Sequence, residues 1–435
     1  MLSHLSAGSV ISMSVRVTGL ALAFLSHLVL SHMLGASQYG IYVIALGWAM
    51  VLVIPARLGL DNSVLRYATI YREQGRAADL RGLVVFSCST IAGISLLIVA
   101  TLLLVKALGI GPLRPISMTL LIGMAMVIPL LALLGWVSAL VRTAHRIFAS
   151  QFYEQVLRPA LLIATLGLLA AAGRAVNADL AMIVTGLTVG VATLGVMLHA
   201  RSAYAGLAPA RPSFEHRREW LSVSWILFLM AVVQELLNQV DVILLGLIGN
   251  AEQAGHFAAA WRLASLVPFG LVALATVSGP LIASAHARND LGEMARIARL
   301  TARFGSLFGA MLALLLAALG QSALSLFGPG FDRAYPALLV LLAGGLVNSF
   351  TGIVGYMLVL TGHQRAALAI LAGALLISFS LNLALIPMLG ALGSAIASSA
   401  ALVAWNLAMA ATVRSKFGID ATALGRRPKR SPGSV

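Results

Sequence analysis

Six stretches of this chain, 82–105, 116–141, 180–198, 302–319, 337–360 and 366–386, each run for eighteen residues or more with a single charge among them, Arg303. A helix needs about 20 apolar residues to cross the ~30 Å hydrocarbon core of a bilayer. Inside that core every backbone N–H and C=O must find its partner within the protein, which leaves helices or closed barrels. Barrel strands would show short alternating segments, and the sequence has none. Composition agrees: 60% of the residues are hydrophobic and 10% charged, where a soluble domain carries roughly 25% charged residues. The expected fold class is all-α, a polytopic membrane protein.

The hydropathy pattern predicts twelve transmembrane helices, at 9–33, 39–60, 82–106, 115–141, 151–172, 178–200, 219–247, 254–284, 297–320, 335–361, 364–387 and 391–414. Although the first has the length of a signal peptide, Arg16 interrupts its apolar core and a second span follows at once. It reads as a retained helix. Alternate loops hold 21 of the 29 basic residues, among them Arg66, Arg72, Arg76, Arg81, Arg201, Arg211, Arg288 and Arg365, and the C-terminal tail is included in that set. The opposite loops hold Lys106, Arg114, Arg174 and Arg333. By the positive-inside rule the basic set is cytoplasmic, which puts both termini inside. The net charge of +15 therefore reports topology, and no nucleic-acid partner is expected. The lone cysteine, Cys88, rules out an internal disulfide and a cysteine-based metal site.

The chain repeats itself. The segment "LGASQYGIY" at 34–42 corresponds to "IGNAEQAGHF" at 248–257, and "ALVRTAHR" at 139–146 resembles "LVLTGHQR" at 358–365. Six helices per copy is an even number, so both copies insert with the same orientation, as parallel repeats do. The expected organisation is an N-terminal six-helix lobe at 1–200, a cytoplasmic inter-lobe linker at 201–218 with Pro209 and Pro212, a second six-helix lobe at 219–414, and a basic cytoplasmic tail at 415–435. The two lobes should enclose a central cavity.

Ionisable groups inside the spans are few, and each Asp, Lys or Arg costs about 2.5–3.5 kcal/mol at a helix centre on insertion scales. Arg16, Arg57 and Arg262, with Glu235 and Asp241, fall on the first two spans of each half. Arg16 and His27 are eleven residues apart and share one helix face. Gln234, Asn238 and Asp241 follow a helical i, i+4, i+7 rule, with Glu235 and Gln239 beside them. A polar face of this kind must look into protein or water. The simplest reading is a hydrated cavity walled by three arginines and two carboxylates. Snorkelling toward a membrane surface is the competing reading for Arg57 and Arg262, and plain helix–helix adhesion competes for the glutamine and asparagine residues. The stripes Gly344–Gly345 and "GALGSAIASSA" at 390–400 read as packing surfaces.

No GxxxxGK[ST] loop, HExxH or Cys/His cluster is present, so neither a nucleotide site nor a metal site is expected, nor any catalytic residue. At this point "LGASQYGIYVIALGW", "LGLDNSVLRYATIYREQGR" at 58–76, "LVRTAHRIFASQ" at 140–151 and above all the stretch at 360–402 containing Asn382, Leu383, Pro387, Gly390 and Gly393 resemble the polysaccharide or O-antigen flippases of the multidrug/oligosaccharidyl-lipid/polysaccharide exporter superfamily. The resemblance implies alternating access and a polyprenyl-diphosphate-linked oligosaccharide as cargo, moved between the leaflets of a bacterial inner membrane. It also implies a monomer working beside polysaccharide assembly machinery, with membrane lipids as its surroundings. Guanidinium groups suit a diphosphate, which assigns Arg16, Arg57 and Arg262 to the cargo. His27, Gln234, Glu235, Asn238 and Asp241 are then cavity polar groups. Glu235 and Asp241 are the candidates for a proton or Na⁺ site, with no other cofactor. Two alternatives remain. One is a multidrug extruder of the same superfamily, the other a membrane-embedded polysaccharide polymerase or ligase. The first calls for acidic walls and the second for a substantial outward loop.

Overall fold

The structure is a computed structural model describing residues 2–109, 111, 116–205 and 210–425, with side chains described from residue 14 onward except at position 226. Among the described residues the chain is helical, with no β-strand. The first run, α1 (Leu2–Arg57), contains one break: Gly35 adopts φ 70°, ψ 171°. Helical geometry is lost there, in a left-handed φ that glycine reaches at no steric cost. The portion of α1 from Ser14 to Arg57 is 44 residues long, enough for two crossings back to back. These are the first and second predicted spans.

After α1 come the short α2 (Leu60–Ser63), a π-helical turn at Val64–Ala68 and α3 (Thr69–Glu73). The third and fourth spans are α4 (Ala77–Ala107) and α5 (Met118–Thr143). The fifth begins as α6 (Ile147–Gln151) and passes through a π-helical turn into α7 (Arg158–Ala171); the sixth is α8 (Ala178–Tyr204). The seventh is α9 (Arg217–Ile248), and the eighth is split into α10 (Ala251–Ala264) and α11 (Phe269–Ala287). The ninth is α12 (Leu291–Ser325), and α13 (Tyr335–Thr351) with α14 (Val354–Leu360) forms the tenth. Then come α15 (Gln364–Leu389) and α16 (Ala391–Phe417). Eleven of the described helical runs are long and apolar enough to cross a membrane. With the first counted as two crossings, the twelve predicted spans are all present.

Sequence-local chemistry sets several starts. Ser117, Asn177, Asn250 and Asp290 each accept a hydrogen bond from a backbone N–H three residues on, at the heads of α5, α8, α10 and α12. Such caps satisfy donors that the first helical turn leaves unpaired. In lipid no hydrophobic force draws helices together, so association relies on close van der Waals approach at small residues. A Cβ on Gly123 would come 2.9 Å from the Met182 Cγ, bringing α5 close to α8. Gly344 meets Ser399 at the α13–α16 contact, and Gly393 faces the backbone of Leu385 across the α15–α16 turn. The outer surface is oily: Leu168, Leu314 and Leu376 are 71%, 72% and 68% exposed, a cost in water that acyl chains remove.

The chain divides into two compact units, residues 1–235 and 236–435. The divide lies inside α9, further along than the expected linker at 201–218. The start of α9 belongs to the first unit because its side chains are bonded there. Trp220, fully buried, donates its indole N–H to the Tyr71 hydroxyl at 3.0 Å, and Ser63 Oγ donates to the Trp220 carbonyl at 2.5 Å. Tyr67 donates to Glu219 Oε1 at 2.9 Å. Burial first, and then the Glu219 carboxylate, raise the Tyr67 hydroxyl above its ordinary pKa.

The described parts of the linker and of the tail both pack on the helices. The described part of the linker is pinned: Ser213 N–H donates to the Ala78 carbonyl at 3.0 Å, and Arg81 donates to the Ala210 carbonyl at 3.1 Å. Gly82 makes this possible, since any Cβ there would collide with the Ser213 carbonyl. The first part of the tail is folded as well. Ile419 and Ala421 are buried, Ala423 N–H donates to the Phe350 carbonyl at 3.0 Å, and Arg303 donates to the Ala423 carbonyl at 3.0 Å. Pro209 and the basic residues Arg426, Arg427, Lys429 and Arg430 lie outside the described residues.

Candidate functional site

Asp241 is the best-defined polar centre of the second unit. It sits on α9, only 3% exposed, against α15 and α16. Asn382 Nδ2 donates to Asp241 Oδ1 at 2.7 Å and to the Ser378 carbonyl at 2.9 Å. Ser394 Oγ donates to Asn382 Oδ1 at 2.7 Å and stands 3.4 Å from Asp241 Oδ1. Ser398, one turn beyond Ser394, lies within electrostatic reach of the carboxylate, though its hydroxyl makes no hydrogen bond of normal geometry. Asn382 and Ser394 are both fully buried. The structure encloses Asp241 in a pocket of hydroxyl and amide groups. A buried carboxylate is tolerated only when its oxygens are bonded, and helices α15 and α16 supply those bonds.

The serine and asparagine partners are what sequence reading missed. Ser378 and Asn382 are i, i+4 on α15, and Ser394 and Ser398 are i, i+4 on α16. Two polar pairs at helical spacing in apolar spans were a readable signal, but the second pair lay within a small-residue stripe and passed as packing.

The first unit has a polar centre of its own. His27 Nδ1 lies 3.1 Å from the Tyr39 hydroxyl, with the two rings edge-on. Tyr39 stacks on Tyr42, whose hydroxyl is 3.1 Å from Thr185 Oγ1 on α8. Both tyrosines are buried. His27 thus faces an aromatic interior, while Arg16, three turns away on α1, is exposed. The shared face does not keep them in one environment.

The remaining predicted residues separate in the same way. Gln234 and Asn238 are exposed, and Glu235 is half-buried. Their common face with Asp241 ends where α9 enters the packing against α15 and α16. Arg57 is half-buried, and its Nη2 donates to the Leu131 carbonyl at 2.6 Å. Its guanidinium lies directly over Gly135, whose missing side chain leaves the room. The Nε is buried without a hydrogen-bond partner among the described residues. Arg57 is therefore held by α5. Arg262 is half-buried in the last turn of α10, immediately before the break at Ser265–Pro268. A cation at a helix C-terminus is favoured by the partial negative charge there. No hydrogen bond or ion pair to Arg16 is found among the described residues.

Among the described residues no three His, Cys, Asp or Glu side chains gather as a metal site. What the Asp241 centre offers is one buried carboxyl group beside an amide and hydroxyl groups. The Asn382 amide is oriented by its hydrogen bonds, and a half-turn would present its oxygen to the carboxylate side.

Comparison with known proteins adds to this geometry. The model of the family described as polysaccharide biosynthesis protein matches residues 5–286. No curated protein matches the chain. Among solved structures, the lipid II flippase MurJ in an inward closed conformation is similar at a TM-score of 0.73 and 13% identity, covering 93% of this chain and 87% of that one. An inward-facing multidrug resistance MATE family transporter of the MOP superfamily is similar at 0.70 and 12% identity, covering 94% and 98%. A MOP superfamily transporter from Pyrococcus furiosus, described by a binding pocket of reverse polarity, is similar at 0.62 and 15% identity, covering 94% and 95%. At these identities the likeness is one of fold.

Proposed function

The chain belongs to the polysaccharide biosynthesis protein family, and from that premise we propose that it is an alternating-access flippase for a polyprenyl-diphosphate-linked oligosaccharide. It carries this cargo from the inner to the outer leaflet of a bacterial cytoplasmic membrane, for polysaccharide or O-antigen synthesis. The observation that carries the reading is the family match, which covers Arg16, Arg57, Asp241 and Arg262. Two further features support it. The fold crosses the membrane many times, and Arg16 exposes a guanidinium from the first span. Left in oil, that group would cost about 2.5–3.5 kcal/mol; beside a diphosphate it makes charge-assisted, bidentate hydrogen bonds. Arg57, held by α5, and Arg262, at the α10 break, are the further basic groups along the path.

Transport is coupled to a proton or Na⁺ gradient through the Asp241 centre. An ion that neutralises a buried carboxylate changes the balance of bonds to Asn382 and Ser394 and so biases the packing of α9 against α15 and α16. The protein acts as a monomer, in contact with the machinery that builds and polymerises the glycan.

Arg16→Glu tests the cargo assignment. Lipid-linked glycan should accumulate in the inner leaflet while the protein remains inserted, and unchanged export would remove Arg16 from the path. Asp241→Asn tests the coupling. Export should lose its response to collapse of the ion gradient, whereas a fully retained response would exclude Asp241 as the coupling group.

A further inference from the structure

A cavity of about 480 Å³ opens in the first unit between α4, α5 and α8, at the ends that carry basic loops. That volume lies within the roughly 300–1,000 Å³ of small-molecule sites. Its interior is apolar, built from Val85, Trp136, Val137 and Met197. Its rim is basic, with Arg81 from α4 and Arg201 from the last turn of α8.

The rim is structured. Arg81 is held by the Ala210 carbonyl, and the adjoining Pro212, which closes one side, is fixed through the Ser213–Ala78 bond. Tyr204 is anchored through its hydroxyl to the Leu140 carbonyl at 3.2 Å and to Thr143. Trp136 is locked by its indole N–H to Ser87 Oγ at 2.8 Å. Arg201 is exposed, and neither Arg81 nor Arg201 forms an ion pair among the described residues. An apolar chamber ending in two uncompensated guanidinium groups matches a molecule with a hydrocarbon chain and an anionic head. The chamber also sits at the depth where such molecules are packed: the positive-inside rule puts these loops at the cytoplasmic surface, whose leaflet is rich in anionic lipid.

We propose that this cavity binds an anionic phospholipid of the leaflet beside the basic loops, with one acyl chain against Trp136, Val137 and Met197 and the phosphate between Arg81 and Arg201. The inference depends on membrane insertion and not on the identity of the cargo. Because Pro212 forms part of the wall, the bound lipid touches the segment that joins α8 to α9.

The full chain, reconstituted in phosphatidylcholine nanodiscs without cargo, is exposed to phosphatidylglycerol bearing a photoreactive diazirine at one chain end, and adducts are mapped by peptide mass spectrometry. Adducts should concentrate on peptides containing Val137 and Met197. Arg201→Glu should lower that labelling about tenfold, since each basic residue near an anionic membrane surface contributes about 1 kcal/mol and reversal removes more than one such contribution. Met197→Trp, which fills the chamber, should lower it without altering charge. If Arg201→Glu fails to insert, Arg201→Gln gives the same readout with a smaller fall. Equal labelling by a phosphatidylcholine probe would overturn the proposal. So would labelling indifferent to Arg201 and Met197, or displacement of the probe by soluble glycerol phosphate, which would reveal a plain anion site.

Discussion

Eight residues before Gly35 stands His27, and eight residues before Gly249 stands Asp241. The two units place a buried polar group at the same position of their repeat, yet they close it differently. His27 is met by Tyr39, only twelve residues further along the same run. Asp241 is met by Asn382 and Ser394, from two other helices. One further position of the repeat is matched. Gln38 Oε1 accepts the Ala178 N–H at the head of α8, and Gln253 lies against Gly390 at the head of α16, where a Cβ would come 2.6 Å from its Nε2. Each glutamine thus touches the turn preceding the last span of its unit. The His27 imidazole meets the Tyr39 phenol and packs beside stacked aromatic rings. A carboxylate in a dry interior needs several donors, so it gathers α15 and α16 around itself. The same station is an internal fastening in one unit and a three-helix junction in the other.

The largest effect should come from Asn382→Leu. It removes the amide that donates to the buried Asp241 carboxyl, a loss of about 1.5–3 kcal/mol for a hydrogen bond to a charged group. Unfolding of the detergent-solubilised protein measures this. Adding Asp241→Leu should recover most of the loss, because an apolar pair in the same volume is close to neutral. If the double variant is as unstable as the single one, Asn382 acts by packing alone and the contrast between units disappears.

Tyr39→Phe should cost less, about 1 kcal/mol for loss of the hydrogen bond to His27, with the ring contacts to His27 and Tyr42 kept. The same unfolding measurement applies. A loss as large as that of Asn382→Leu would mean that the first unit also depends on a charged centre, here a protonated His27.

Much of the fold was legible from local pattern. Twelve spans follow from apolar length, while α10 and α12, capped by Asn250 and Asp290, start ahead of the expected 254 and 297. The repeat was visible in "LGASQYGIY" and "IGNAEQAGHF". The candidate site was legible in part. Arg16, His27 and Asp241 stood out because ionisable groups are expensive in apolar spans. That Arg57 would be spent on Leu131 and Gly135 was not visible, because the clue is an absent side chain 78 positions away. The break at Ser265–Pro268 also escaped a hydropathy reading, since the apolar run continues through it.

From sequence alone came everything the bilayer dictates as a solvent: helices rather than strands, their number, their alternation of charge, and the short list of polar residues that must be hidden from lipid. Tertiary structure alone decided which of those residues are buried, and against what. Hydrophobicity acts on a helix one face at a time and leaves its record in nearby positions. A hydrogen bond such as that from Asn382 to Asp241 joins residues 141 positions apart, and only packing at bonding distance brings them together.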